Sequence, residues 1–161
     1  MKAKNGWIAP SAQQRLAILR RTRTVAMLGA SPNPARASNF VATYLLASTD
    51  YDVYFVNPRA TEILERPVYG SLAELPVTPD LVAVFRRLAD LPRVLAEVLA
   101  SGASTLWLQF GLYHTAVAEE AQAAGLAVVM DRCLKIEHAR FHGGLHLAGF
   151  NTGVISSRRP R

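Results

Sequence analysis

In the stretch GASPNPARASN, residues 29–39, the groups able to do chemistry are backbone amides and one guanidinium. Gly29 has no side chain, so the backbone there can turn tightly and come close to a ligand. Pro32 and Pro34 push Ser31 and Asn33 away from helical angles, which holds the loop open to about Ala35 and starts a helix near Ser38. The first N–H groups of such a helix lack internal partners and point back into the corner, a setting that favours an anion and above all a phosphate. Arg36 opposes the helix dipole by about 0.3–1 kcal/mol unless a phosphate sits between them; an Arg36 that merely faces solvent is the alternative. Ser31 has no base beside it in the motif, which argues against a nucleophile.

The loop is not a nucleotide P-loop, because no Gly-Lys-Ser/Thr follows. It is also only part of a dinucleotide fingerprint: Gly29 is present, but Ser31 and Pro34 stand where the other two glycines would be. The second apolar run ends FVNPR, with Arg59 at its close and no carboxylate before Glu62. An acid there would hold a bare ribose diol. Arg59 instead suits a ribose that carries a phosphate, so NADP with its 2′-phosphate and coenzyme A with its 3′-phosphate both qualify. Two other constellations carry potential chemistry. His138, His142 and His146 recur every four residues near Cys133, so the first two could share a zinc ion on one helix. Gly143 and Gly144 would break that helix before His146, and surface or capping histidines are the preferred reading. Cys133 lies between Arg132 and Lys135, and flanking cations favour a thiolate. A mixed disulfide with a ligand thiol, or reaction with an acyl group, is the functional reading; a small residue filling a strand end is favoured over it.

These residues must be held by regular elements. TVAMLGA, YDVYFVNP, DLVAVF, STLWLQFG and LAVVMD are continuous apolar runs, and ERPVYGSLAELP is a linking segment with room for one short strand at Val68. Helical patterns separate them: SAQQRLAILRRT with Ser11 as cap, NFVATYLLAS, LPRVLAEVLASG ending at Gly102, and TAVAEEAQAAG ending at Gly125. Beyond RCLKIEHARF the periodicity weakens, and GGLHLAGFNTG is glycine-rich. Continuous rather than alternating strands, alternating with helices, predict an α/β fold: a single Rossmann-like, doubly wound parallel sheet of about five strands, with helices on both faces. Its simplest order is 3-2-1-4-5, with the ligand beyond the carboxyl ends of the strands beside the first. Three segments are expected: a basic helical segment at 1–23 packing on the domain, the Rossmann-like domain at 24–140, and a glycine-rich, basic extension at 141–161.

VAMLGASPNPARAS, YFVNPR, VFRR, LWLQFG and VVMDRC followed by KIEH, in this order and spacing, resemble the stand-alone CoA-binding protein family. That family is similar to the N-terminal CoA-binding domain of the succinyl-CoA synthetase alpha subunit. The resemblance covers roughly residues 15–140. It implies that the Gly29-Ala30-Ser31 turn, with Arg36, Ser38 and Asn39, holds a pyrophosphate. Asn57, Pro58 and Arg59 would border the adenosine and its 3′-phosphate, and Phe85 and Arg86 the adenine or ribose side. Gln109 and Gly111 would flank the pantetheine arm, with Asp131, Arg132 and Cys133 near its thiol end. The synthetase's phosphorylated histidine lies in a second domain that has no counterpart here, and no nucleotide-grasp segment is present, so ligase chemistry is not implied. From their own setting, Arg59 and Arg86 are equally consistent with plain surface charges. Gln109 could simply satisfy backbone groups at a strand end, and Trp107 and Phe110 read as core.

The totals narrow the setting. The 161 residues suit one domain with a real core, and half of them are hydrophobic. No apolar stretch approaches the ~20 residues of a membrane span, MKAKNGWIAP is not a secretory signal, and one cysteine cannot form an internal disulfide. These point to the cytoplasm. The net charge of +6 is uneven: residues 1–23 carry six basic groups and no acid, and the tail adds Arg158, Arg159 and Arg161. Basic ends on a slightly acidic middle read as solvated arms rather than a nucleic-acid surface, and no nucleic-acid-binding signature is present. The first hypothesis is therefore a non-catalytic binder of coenzyme A or an acyl-CoA that carries, senses or presents its ligand. An NADP-dependent enzyme and a scaffold with a vestigial pocket are the alternatives. A protein partner or a homodimer stays open.

Overall fold

A computed structural model describes residues 6–142. The sheet is assembled from β1 (Thr24–Leu28), β2 (Asp52–Val56), β3 (Glu62–Ile63), β4 (Arg66–Tyr69), β5 (Leu81–Val84), β6 (Thr105–Leu108) and β7 (Ala127–Val129). The helices are α1 (Ala12–Arg21), α2 (Ala37–Ser48), α3 (Leu91–Ser101), α4 (Thr115–Ala123) and α5 (Leu134–His142). His146, the third of the regularly spaced histidines, and the glycine-rich, basic extension from 143 onward lie outside the described residues.

Seven strands form one sheet in the order β3-β4-β2-β1-β5-β6-β7, parallel except for the β3–β4 pair. The expected five strands in the order 3-2-1-4-5 are therefore corrected. The strand at 81–84 does not lie outside β2; it pairs directly with β1, through Val25↔Leu81 to Leu28↔Val84. The outer position beside β2 is taken by β4, through Phe55↔Val68 and Val56↔Tyr69. Counted with β4 as its third strand, the parallel part has the order of a doubly wound dinucleotide-binding sheet. The chain leaves β1 for β2 on one side and returns through β4 to β5 on the other. The topological switch therefore falls between β1 and β5.

Period-two alternation along the strands divides the core into two layers. Ala26, Leu28, Val82, Val84, Leu106 and Leu108 face α3 and α4, meeting Val94, Leu95, Val98, Val117 and Ala121. Val25, Met27, Phe55, Leu81, Ala83 and Trp107 face the other way, against Ile18 and Leu19 of α1, Val41 and Leu45 of α2, and Leu134 and Phe141 of α5. Ser11 caps α1 as expected: its Oγ accepts from Gln14 N–H at 3.1 Å, while the Gln14 side chain accepts from Ser11 N–H at 2.8 Å. Not every N-terminal cation is a solvated arm. Arg15 is only 8% exposed, and its Nε donates to Glu137 Oε1 at 2.8 Å. Glu137 also accepts from Arg132 Nη1 at 3.0 Å, so one buried carboxylate ties α1 and the loop after β7 to α5.

Candidate functional site

At the carboxyl ends of β1, β5 and β6 lies a cleft of about 270 Å³. The first loop supplies Gly29, Ser31, Arg36 and Ser38; β5 leads into Phe85 and Arg86; β6 leads into Gln109 and Gly111. Half of the residues singled out in the sequence are thus brought to one crevice, at the switch point. Ala37, Val84, Phe110 and Leu112 complete its wall and were missed. Phe110 also corrects the expectation of a core residue: it is 78% exposed, whereas Trp107 is fully buried.

The crevice exists because Gly29 lets two strand ends meet. Its φ is +93°, and a Cβ there would stand 2.7 Å from the Phe85 carbonyl oxygen and 3.0 Å from Arg86 Cδ. The β-ladder also continues past the strands, Gly29 N–H donating to Val56 O and Phe85 N–H to Leu28 O. Beyond the glycine the loop is stitched by its own polar groups. Ser38 Oγ accepts from Ser31 N–H at 2.9 Å, Ser31 Oγ from Asn33 N–H at 3.0 Å, and Asn33 Oδ1 from Ala35 N–H at 2.9 Å. Asn39 Nδ2 reaches Ser31 O at 3.5 Å. Ser38 and Asn39 therefore shape the turn, and Ser38 is buried. The helix starts at Ala37, one residue before the expected Ser38, with Arg36 at the N-cap and no side-chain cap. Its amino end, whose positive dipole pole favours anions, opens on the cleft through Arg36, Ala37 and Ser38.

The remaining sequence candidates lie outside the cleft wall. Asn57 spends its amide on backbone: Nδ2 donates to Ala30 O at 2.7 Å and Oδ1 accepts from Arg59 N–H at 2.8 Å. It fastens the loop after β2 to the loop after β1, with Ala30 buried and Pro58 and Arg59 exposed. Asp131, at φ +60°, accepts from Gly111 N–H at 2.7 Å and so joins the loops after β6 and β7. Gln109, which does belong to the cleft wall, also fills the strand-end role considered for it: its Oε1 accepts from Leu134 N–H at 3.1 Å. The Arg132 carbonyl accepts from Trp107 Nε1 at 2.8 Å. Cys133 is half-buried against the α1–α2–α5 layer.

The histidines do something else. His138 is buried at 7% exposure, not a surface or capping group. Its Nδ1 hydrogen-bonds Tyr44 OH at 2.8 Å, the Tyr44 and Tyr51 rings meet it edge-on, and His142 stacks on it with ring centroids 4.2 Å apart. Burial, with the His142 ring alongside, pushes His138 down to about 4. Among the described residues no cluster of three or more His, Cys, Asp or Glu could hold a metal.

The model of the family described as "CoA binding domain" matches residues 23–139, from just before β1 into α5. The chain belongs to the CoA binding domain family. The chain is 35% identical over 130 residues to YneT of Bacillus subtilis (strain 168), covering 81% of this chain and 96% of that one. A solved structure from Thermus thermophilus superposes with a TM-score of 0.76 at 37% identity, over 81% of this chain and 98% of that chain. An ADP-forming acetate–CoA ligase of Archaeoglobus fulgidus is 26% identical over 122 residues, 70% of this chain but 18% of the ligase. The likeness to that enzyme thus spans one portion of it. Among the described residues of this CoA binding domain no helix is long and apolar enough to cross a membrane.

Proposed function

We propose that the protein binds coenzyme A or an acyl-CoA in the cleft between the ends of β1, β5 and β6, as a non-catalytic carrier, sensor or presenting module of the cytoplasm. The observation that carries the reading is the Gly29 crevice: a close backbone approach at the switch point, opening onto a helix start that no side chain caps. Membership of the CoA binding domain family supports this ligand class. In this reading the Gly29–Ser31 turn and the first amides of α2 take the diphosphate. Arg59, on the loop that Asn57 fastens to Ala30, takes the 3′-phosphate. The pantetheine arm runs over Gln109 and Gly111, past Phe110 and Leu112, toward Asp131, Arg132 and Cys133. Phe85 borders the adenosine.

Thermal unfolding with coenzyme A, dephospho-CoA, NADP and NAD tests this. Coenzyme A at a hundred times its Kd adds about 2.7 kcal/mol, and a chain of this size then melts roughly 5–10 °C higher. Dephospho-CoA gives a smaller rise. A rise with NADP alone would put the NADP enzyme in its place, and no rise with any ligand would leave the scaffold.

A further inference from the structure

Arg86 is unlike the arginines around it. It directly follows Phe85 at the end of β5, and its side chain lines the cleft. Its Nε is buried and has no hydrogen-bond partner. Among the described residues no carboxylate pairs with it. The acids near its other side are already engaged: Asp90 accepts from Arg87 at 3.5 Å and Arg93 at 3.0 Å, and Glu97 accepts from Leu72 N–H at 2.9 Å. Its Cδ would stand 3.0 Å from a Cβ on Gly29, so its stem lies against the glycine of the first loop. On the same cleft stands Arg36, at the start of α2.

Burying the Nε of a guanidinium without an acceptor is costly, and the cost is relieved when an anion enters beside it. The Cδ bonded to that nitrogen lies against Gly29, at the edge of the crevice this glycine keeps open. We infer that Arg86 is a binding residue for the diphosphate of the ligand, gripping it from the β5 side while the amino end of α2 holds it from the other. The inference rests on the coenzyme A reading of the cleft and departs from the adenine or ribose side to which the family resemblance assigns Arg86. A planar fork suits two phosphate oxygens at once, and its positive charge complements a group that carries two negative ones. Arg59 then serves the 3′-phosphate alone.

Calorimetric titration of wild type, Arg86→Gln, Arg86→Lys and Arg59→Ala with coenzyme A and dephospho-CoA, followed by displacement of bound coenzyme A with inorganic pyrophosphate, separates the possibilities. Arg86→Gln is expected to weaken coenzyme A, dephospho-CoA and pyrophosphate by one common factor of about ten to a hundred. Arg86→Lys keeps the charge but loses the fork and falls between. The ligand-free melting temperature of Arg86→Gln is expected to match or exceed that of wild type, because no partner is lost. A loss confined to coenzyme A would move Arg86 to the 3′-phosphate and overturn the inference. Unchanged pyrophosphate displacement, or none in wild type, would overturn it too while leaving the coenzyme A reading standing. Wild type that binds neither coenzyme A nor dephospho-CoA would remove the reading underneath.

Discussion

Replacing Gly29 by alanine adds one carbon atom at the point where the first loop touches the end of β5. The backbone there has φ +93°, and the new Cβ would meet the Phe85 carbonyl oxygen at 2.7 Å, the Phe85 carbonyl carbon at 3.0 Å and Arg86 Cδ at 3.0 Å. Two costs add. Holding an L-residue at that φ takes about 1–3 kcal/mol, and forcing apart packed backbone takes about 1–3 kcal/mol more. Gly29→Ala should therefore lose about 2–6 kcal/mol, which for a chain of this length lowers Tm by roughly 5–20 °C. Gly111→Ala is the matched control, since Gly111 has φ +94° with nothing within 4 Å of its Cβ position. It pays only the conformational cost, so the two variants should differ by about 1–3 kcal/mol. Urea denaturation of wild type and both variants measures that difference. If Gly29→Ala is no less stable than Gly111→Ala, the close approach that shapes the crevice is not there.

Other outcomes follow from the same contacts. Arg59→Ala should shrink the affinity gap between coenzyme A and dephospho-CoA, by about tenfold for one charge-assisted phosphate contact; an unchanged gap in calorimetry rejects that role. Glu137→Gln strips the charge between Arg15 and Arg132 inside the fold, and should cost about 3–5 kcal/mol in urea denaturation; a cost under about 1 kcal/mol would make the pair a surface one. His138 takes up its proton near 4 when folded, against about 6.5 in an unfolded chain. Between those values the unfolded state holds more protons, so stability should rise with pH from about 4 to 6.5 and then level off. In His138→Gln that slope should flatten in pH-dependent melting, whereas an equal slope would assign it to other groups.

The strands were legible because a sheet covered on both faces needs apolar side chains at every position, and Val25 to Leu28 or Leu81 to Val84 supply them without interruption. The strand order was not, because it turns on β4. That strand has four residues and begins Arg66-Pro67, which reads as a link. The hairpin before it turns at Leu64 and Glu65, with φ of 49° and 64°, without the Asn-Gly or Asp-Gly that announces such a turn. The last helix was legible only as one that His138 and His142 could share. Its inner face is Leu134, Glu137, His138 and Phe141, and two of those four are polar, so the apolar period fades just where the Arg15–Glu137 pair and the Tyr44–His138 contact replace it. In the cleft, the glycine, the helix start and the arginines carried enough chemistry to be found from their types. What the sequence could not say is which polar side chains are already committed. Ser38, Asn57 and Asp131 look like ligand groups, yet each spends its oxygen or amide on loop backbone. An exposed Phe110 cannot be told from a buried one without knowing where β6 ends.

The central claim is that coenzyme A enters the crevice between β1 and β5, and amide chemical shifts of the ¹⁵N-labelled protein during a coenzyme A titration test it most directly. The account predicts saturable shifts concentrated at Gly29, Ala30, Ser31, Ala37, Arg86 and Gly111, with Arg59 shifting for coenzyme A and little for dephospho-CoA. No shifts at saturating ligand, or shifts gathered at the amino ends of the strands, would contradict it.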